Sequence, residues 1–131
     1  MILSAMLLAC DRIYINGDLD GMWQLQKVEN SDTTIYPKDI YYSFQRNLTF
    51  VSRMNEKDWP VRYLGNLHYE MGKSITLDGF RHFPEEQYPA TTAELEKCMI
   101  FGTEVRFDIE HIDNSVLVMD NNGYRYTLRK W

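Results

Sequence analysis

Along most of this chain apolar and polar residues alternate one by one, the period of a strand with one buried face and one wet face. Trp23 and Leu25 begin the series. Phe44, Leu48 and Phe50 share one face, with Arg46 its one polar member. Tyr63, Leu67, Tyr69 and Met71 fall on another, and Gly65 among them marks a place where a strand bends or bulges. Ile75 and Leu77 follow the turn residues Gly72 and Lys73, and Val105, Phe107 and Ile109 alternate with Glu104, Arg106, Asp108 and Glu110. Residues 116–119 are a short apolar run, after which Asn121, Asn122 and Gly123 supply the positive-φ positions of a tight hairpin. Tyr124, Tyr126 and Leu128 form the inward face of the last strand.

One stretch breaks the period. Residues 91–99 read as a short helix: Thr91 with Glu94 fits a capping box, Leu95 and Met99 are one helical turn apart, and Gly102 follows the end. Pro84 and Pro89 mark the loop that leads into it. The pattern therefore predicts an all-β domain of about seven antiparallel strands with one inserted helix, a barrel or a sandwich.

The first nine residues are different again. Residues 1–9 form a long uncharged apolar run that stops at Cys10, and the charged pair Asp11 and Arg12 follows. The run has the length and greasiness of a secretory h-region. Leu7, Leu8, Ala9 and Cys10 resemble the bacterial lipobox, which implies cleavage before Cys10 and acylation of its thiol. Acyl chains in pairs anchor firmly, whereas one chain binds only marginally. No Lys or Arg precedes the run, although such signals normally carry a basic n-region, and the natural start is therefore expected upstream of Met1. The expected division is a lipoprotein signal over 1–10, a solvated tether over 11–20 and one domain over 21–131. Cys98 is then a lone thiol, expected to be a small buried hydrophobe.

At 131 residues the chain is one domain with room for a core. A content of 44% hydrophobic and 25% charged residues excludes disorder. Net charge is −5, and cationic residues never cluster beyond two, so nucleic acid is not an expected partner.

Gly21, Met22 and Trp23 match the G-x-W opening of lipocalins and fatty-acid-binding proteins. The C-terminal third adds a short helix ending near Ile100, Phe101 and Gly102, and then strands over 105–110, 116–119 and 126–131. With the lipobox, that order resembles the small lipocalin-like lipoproteins of Bacteroidetes. The resemblance implies a lipocalin-like antiparallel barrel or half-barrel of about seven to eight strands with one short inserted helix. It also implies a place in the bacterial cell envelope, the outer membrane in preference to the inner. In lipocalins the opening Trp closes the barrel floor, often under an Arg from the C-terminal part. Arg129 is the candidate partner for Trp23, and Arg125 the alternative.

Candidate chemistry is sparse. Residues 16–21 look like the first half of a calcium loop, but Lys27 stands where the bidentate Glu belongs, so a turn-rich tether is the better reading. His68, His82 and His111 are not at metal-ligand spacing, and neither a metal nor another cofactor is expected. His82 with Glu85 and Glu86 is the one place where an imidazole and carboxylates are close in sequence; a solvated loop explains it. No nucleophile motif or phosphate loop is present, and an enzyme is not expected.

What remains is the aromatic interior. Arg46, Tyr63, Tyr69, Phe107 and Tyr126 are the candidate ligand-binding residues, toward the end of the barrel away from Trp23. Tyr suits an amphipathic guest because a buried ring still needs a partner for its hydroxyl. A wholly empty 300 Å³ site would cost about 7 kcal/mol, comparable to the whole stability of a domain. A shell this small is therefore mostly filled. The expected role is non-catalytic binding of a small apolar or amphipathic ligand or of an envelope protein partner. The alternative is an interaction scaffold with a filled core, with the acidic stretch over residues 78–86 as its contact surface.

Overall fold

The structure is a computed structural model that describes residues 15–54 and 60–131. Cys10, the signal expected over 1–10 and the first part of the tether lie outside the described residues. Nine strands form among those described: β1 (Gly21–Glu29), β2 (Thr34–Ile35), β3 (Ile40–Gln45), β4 (Leu48–Arg53), β5 (Val61–Glu70), β6 (Ser74–His82), β7 (Val105–Ile112), β8 (Val116–Asn121) and β9 (Tyr124–Lys130). A single α-helix, α1 (Thr92–Glu96), interrupts them between β6 and β7. No described helix is long and apolar enough to cross a membrane.

Each strand of the series pairs antiparallel with the next, and β9 returns to pair with β1. That last pairing turns the sheet into a closed barrel of eight strands, with the two-residue β2 laid against the far end of β1. Closure removes the open edges that a half-barrel would expose. Alternation does the rest: Trp23, Leu25, Tyr42, Phe44, Val51, Phe107, Met119, Tyr126 and Leu128 all point inward and are almost fully buried. The expected turn between β8 and β9 is present, with Asn122 at φ 48° and Gly123 at φ 87°. The expected irregularity at Gly65 is a bulge between Leu64 and Asn66, where an added Cβ would lie 2.8 Å from the Phe80 ring.

Three expectations fail for definable reasons. Arg46 is not on an inward face. Gln45 pairs with Leu48, so Arg46 and Asn47 are a two-residue turn, with Arg46 at φ 56° and exposed. A two-residue turn shifts the parity, so Thr49 and Val51 face inward while Leu48 and Phe50 face out. Nor are residues 15–20 a solvated tether. They form a turn and a 3-10 helix (Gly17–Leu19) that buries Leu19 completely against the core. Asn16 fixes this piece through its side-chain amide, which donates to Asp20 Oδ1 and to the Arg46 carbonyl, both at 2.8 Å.

The third correction concerns the floor. Trp23 is fully buried, and its indole N–H donates to the Leu19 carbonyl at 2.8 Å. The cation above it is Lys130, with Nζ 4.8 Å from the ring centroid. The same Nζ donates to the Asp18 carbonyl at 2.6 Å. Arg129 pairs with Gln24 across the sheet and stands exposed, because odd-numbered residues of β9 point outward; the same parity excludes Arg125. Partial burial pushes the Lys130 ammonium below its ordinary range.

Candidate functional site

The 3-10 turn, Trp23 and the hairpins after β3, β5 and β7 make one end of the barrel. The other end is the mouth, and the long β6–β7 connection crosses it. Its first part stays attached to β6: the His82 N–H donates to the Tyr88 carbonyl at 2.9 Å, and Ala90 N–H to the Phe80 carbonyl at 3.0 Å. The second part, residues 91–101, is a cap. Thr91 accepts from the Glu94 N–H at 3.2 Å while Glu94 Oε1 accepts from the Thr91 N–H at 2.9 Å, the expected capping box. The helix is shorter than the sequence suggests and ends through Met99 at φ 62°, not through Gly102. Leu95, Cys98 and Ile100 drop fully buried side chains into the mouth.

The backbone of the cap bonds to itself. The N–H groups of Leu95, Lys97, Cys98, Met99 and Ile100 all donate to carbonyls between Thr91 and Glu96. Three carbonyls at its C-terminal end are left over, as at any helix end, and the barrel wall takes all three. Tyr42 Oη on β3 donates to the Cys98 carbonyl at 2.6 Å. Tyr126 Oη on β9 donates to the Met99 carbonyl at 2.6 Å. Arg53 Nη1 on β4 donates to the Lys97 carbonyl at 3.2 Å, while its Nε holds Asp39 at 3.0 Å.

Burial pushes the Tyr42 phenol far above its ordinary range, with Tyr126 close enough to add to the effect. Tyr63 is raised to about 12 by burial and by the nearby Glu94 carboxylate, and burial raises Tyr126 as well. These phenols are hydrogen-bond donors at any physiological pH. Burial also raises the Cys98 thiol to about 12, which leaves it inert beneath the cap.

A second fastening lies at the other end of the cap. His82 Nε2 is 3.1 Å from Glu94 Oε1, and an ionised carboxylate can only accept, so the ring N–H donates. The Tyr63 ring stands edge-on to the imidazole at 5.3 Å. An open cleft of about 490 Å³ lies here, lined by His82, Glu85, Tyr88, Pro89, Thr91 and Glu94. The acid–base pair considered for His82 with Glu85 or Glu86 is thus replaced by Glu94, and Glu86 instead bonds Arg81 at 3.2 Å. Among the described residues no cluster of three His, Cys, Asp or Glu side chains is placed to hold a metal ion.

The Thr91 N–H, helped by His82, holds the Glu94 carboxyl below the usual range. A depressed carboxyl stabilises the fold above its unfolded value of about 4.3, and that contribution is lost as pH falls through the lower folded value. Denaturant melts from about pH 5 to about pH 3 should therefore show stability falling less steeply in Glu94→Gln than in the parent. Parallel slopes would mean that Glu94 gains nothing from its partners.

The five candidate ligand residues do not form one site. Tyr63 and Tyr126 lie toward the mouth, and Phe107 packs edge-on to Tyr126 with centroids 5.0 Å apart. Tyr69 belongs to the opposite end, where its hydroxyl accepts from the Gly72 N–H at 2.9 Å in the β5–β6 hairpin. Arg46 is at that end too, on the outside. The residues not anticipated are Tyr42 and Arg53. Ile40, Tyr42 and Phe44 alternate as clearly as any strand here, so Tyr42 was legible by period alone. Arg53 was not, since its partner is a backbone carbonyl of a residue far along the chain. The acidic stretch over 78–86 is also less of a surface than expected. Its first half is strand β6, with Asp78 turned to Asn66 and His68. A separate groove of about 310 Å³ on the outside runs along Ser43, Gln45, Leu48 and Phe50.

Residues 5–131 match the model of the lipocalin-like domain family. A lipocalin-like protein from Bacteroides uniformis ATCC 8492 superposes with a TM-score of 0.71, with 22% identity over 88% of this chain and 100% of that one. An uncharacterized protein from Bacteroides eggerthii DSM 20697 gives a TM-score of 0.69 and 19% identity, over 86% of this chain and 99% of that one. No curated protein matches.

Proposed function

Since the chain belongs to the lipocalin-like domain family, we propose that it is a non-catalytic, lipid-anchored protein of the bacterial cell envelope that holds a small apolar or amphipathic ligand beneath its cap. One observation carries the ligand reading. The cap closes the mouth without sharing a backbone hydrogen bond with any strand among the described residues, so it can lift while the barrel stays intact. Beneath it are the aromatic side chains of Tyr42, Tyr63, Phe107 and Tyr126, an apolar lining with hydroxyls near the entrance. With the cap down, Leu95, Cys98 and Ile100 occupy the space a guest would take, so entry is an exchange of one apolar filling for another.

The anchor rests on the sequence around Cys10, and a fold of this kind needs no membrane contact of its own to be held at a surface by lipid. A filled scaffold is the second reading. It is favoured by the single cluster of buried side chains running from Leu19 at the floor to Ile100 in the cap. Mass spectrometry on protein extracted from membranes of a host with lipoprotein processing tests both parts. The intact mass should correspond to an N-terminus at acylated Cys10, and gentle native conditions should retain a small amphiphile. An unmodified chain beginning at Met1 removes the anchor, and a ligand-free spectrum leaves the scaffold.

A further inference from the structure

The three wall donors that fasten the cap have a consequence for what can replace it. When the cap lifts, the Lys97, Cys98 and Met99 carbonyls leave together. The Tyr42 and Tyr126 hydroxyls and the Arg53 guanidinium remain on the barrel wall. They come from three separate strands, β3, β9 and β4, and they converge because they serve the carbonyls of three consecutive residues. Both hydroxyls belong to side chains buried on all other sides, and a buried donor without a partner costs free energy. An entering ligand must supply acceptors there or leave these groups stranded.

We infer that the open mouth is a binding site for the carboxylate head of an apolar-tailed acid, held by Tyr42, Tyr126 and Arg53. The three donors carry one positive charge among them and present no acceptor that a ligand donor could use once the phenols donate. A carboxylate has two oxygens with about four lone-pair positions, enough to accept from both hydroxyls and from an Nη group of Arg53. Asp39 occupies Nε and keeps the guanidinium fork turned toward the mouth. The tail then fills the volume that Leu95, Cys98 and Ile100 vacate, against Tyr63 and Phe107. An alcohol of equal length would fill the same volume but offer no charge, and an alkylammonium would bring only donors to the two hydroxyls and the Nη group, which are donors themselves. The cap carbonyls, in this light, are the protein's own substitute for the ligand head.

The inference rests on the reading that a ligand enters beneath the cap, and the test separates the two. Isothermal titration with dodecanoate and with 1-dodecanol, both below their aggregation limits, gives an affinity ratio from which the cost of opening the cap cancels. The parent should prefer dodecanoate about tenfold or more, as for a charge-assisted hydrogen bond among desolvated groups. Tyr42→Phe combined with Tyr126→Phe should bring the ratio toward one, and so should Arg53→Gln. Arg46→Ala, at the far end of the barrel, should leave it unchanged. Arg53 is on the rim and half-exposed, so its variant folds even if the double phenylalanine variant does not. Equal binding of acid and alcohol by the parent overturns the head-group assignment while the reading beneath the cap stands. A preference that survives all three substitutions overturns it equally, and binding of neither probe overturns both.

Discussion

Trp23→Ala should lower the free energy of unfolding by about 3–5 kcal/mol, enough to threaten the fold of a domain this size. The ring is completely buried at the centre of the floor. Its removal leaves a cavity beneath Lys130 and strands the Leu19 carbonyl, which now accepts the indole N–H. The 3-10 turn over Gly17–Leu19 loses its seat at the same time. Neighbouring substitutions make the measurement specific. Lys130→Ala should cost about 1 kcal/mol through the lost cation–π contact and stem packing. Arg129→Ala, on the outer face, should stay within about 0.5 kcal/mol of the parent. Chemical denaturation of the four proteins decides it. A Trp23→Ala protein as stable as the parent, or an Arg129→Ala loss equal to that of Lys130→Ala, would mean the floor is built otherwise.

The second large effect is kinetic. In a Cys10→Ala background Cys98 is the only thiol, and it is buried beneath the cap, so its reaction with a thiol reagent reports cap opening. Replacing Tyr42 and Tyr126 together by phenylalanine should speed that reaction about 100-fold. Each change leaves a cap carbonyl without its donor, at about 1–2 kcal/mol apiece, and the closed state alone bears the loss. Low denaturant should hardly alter the parent's rate, because lifting the cap exposes little surface compared with unfolding the barrel. A rate that tracks global unfolding in parent and variant alike would make the cap an inseparable part of the barrel.

Much of this architecture is written in the period-2 pattern, and the failures come from places where counting across a turn goes wrong. Phe44 faces inward as expected. Carrying its parity through Arg46 to Phe50 ignores the two-residue turn at Arg46 and Asn47, so the assignments of Leu48 and Phe50 on β4 are reversed. The same rule, applied strictly, would have chosen Lys130 over Trp23, since Tyr126, Leu128 and Lys130 share one face of β9. The resemblance to lipocalins suggested an arginine there, and the alternation said otherwise. The capping box of α1 could be read from Thr91 and Glu94 alone, because its partners are three residues apart. What the helix does could not. Its fastening joins Tyr42 to Cys98 and Tyr126 to Met99 across long stretches of chain, and side chain meets backbone, a contact that leaves no mark in residue type.

The order of the strands also bears on how the chain reaches its final form. From β3 to β9 each strand pairs with its successor through a short link or, once, through the cap, and such local pairings form quickly. The seam between β1 and β9 is the exception, joining Trp23 to Lys130 across nearly the whole sequence. Of these nine strands β9 is synthesised last, and until it emerges β1 and β8 present bare edges to whatever surrounds them. The nascent molecule is therefore an open ribbon with two bare edges, and it becomes a sealed cylinder only when residues 124–130 are free to pair.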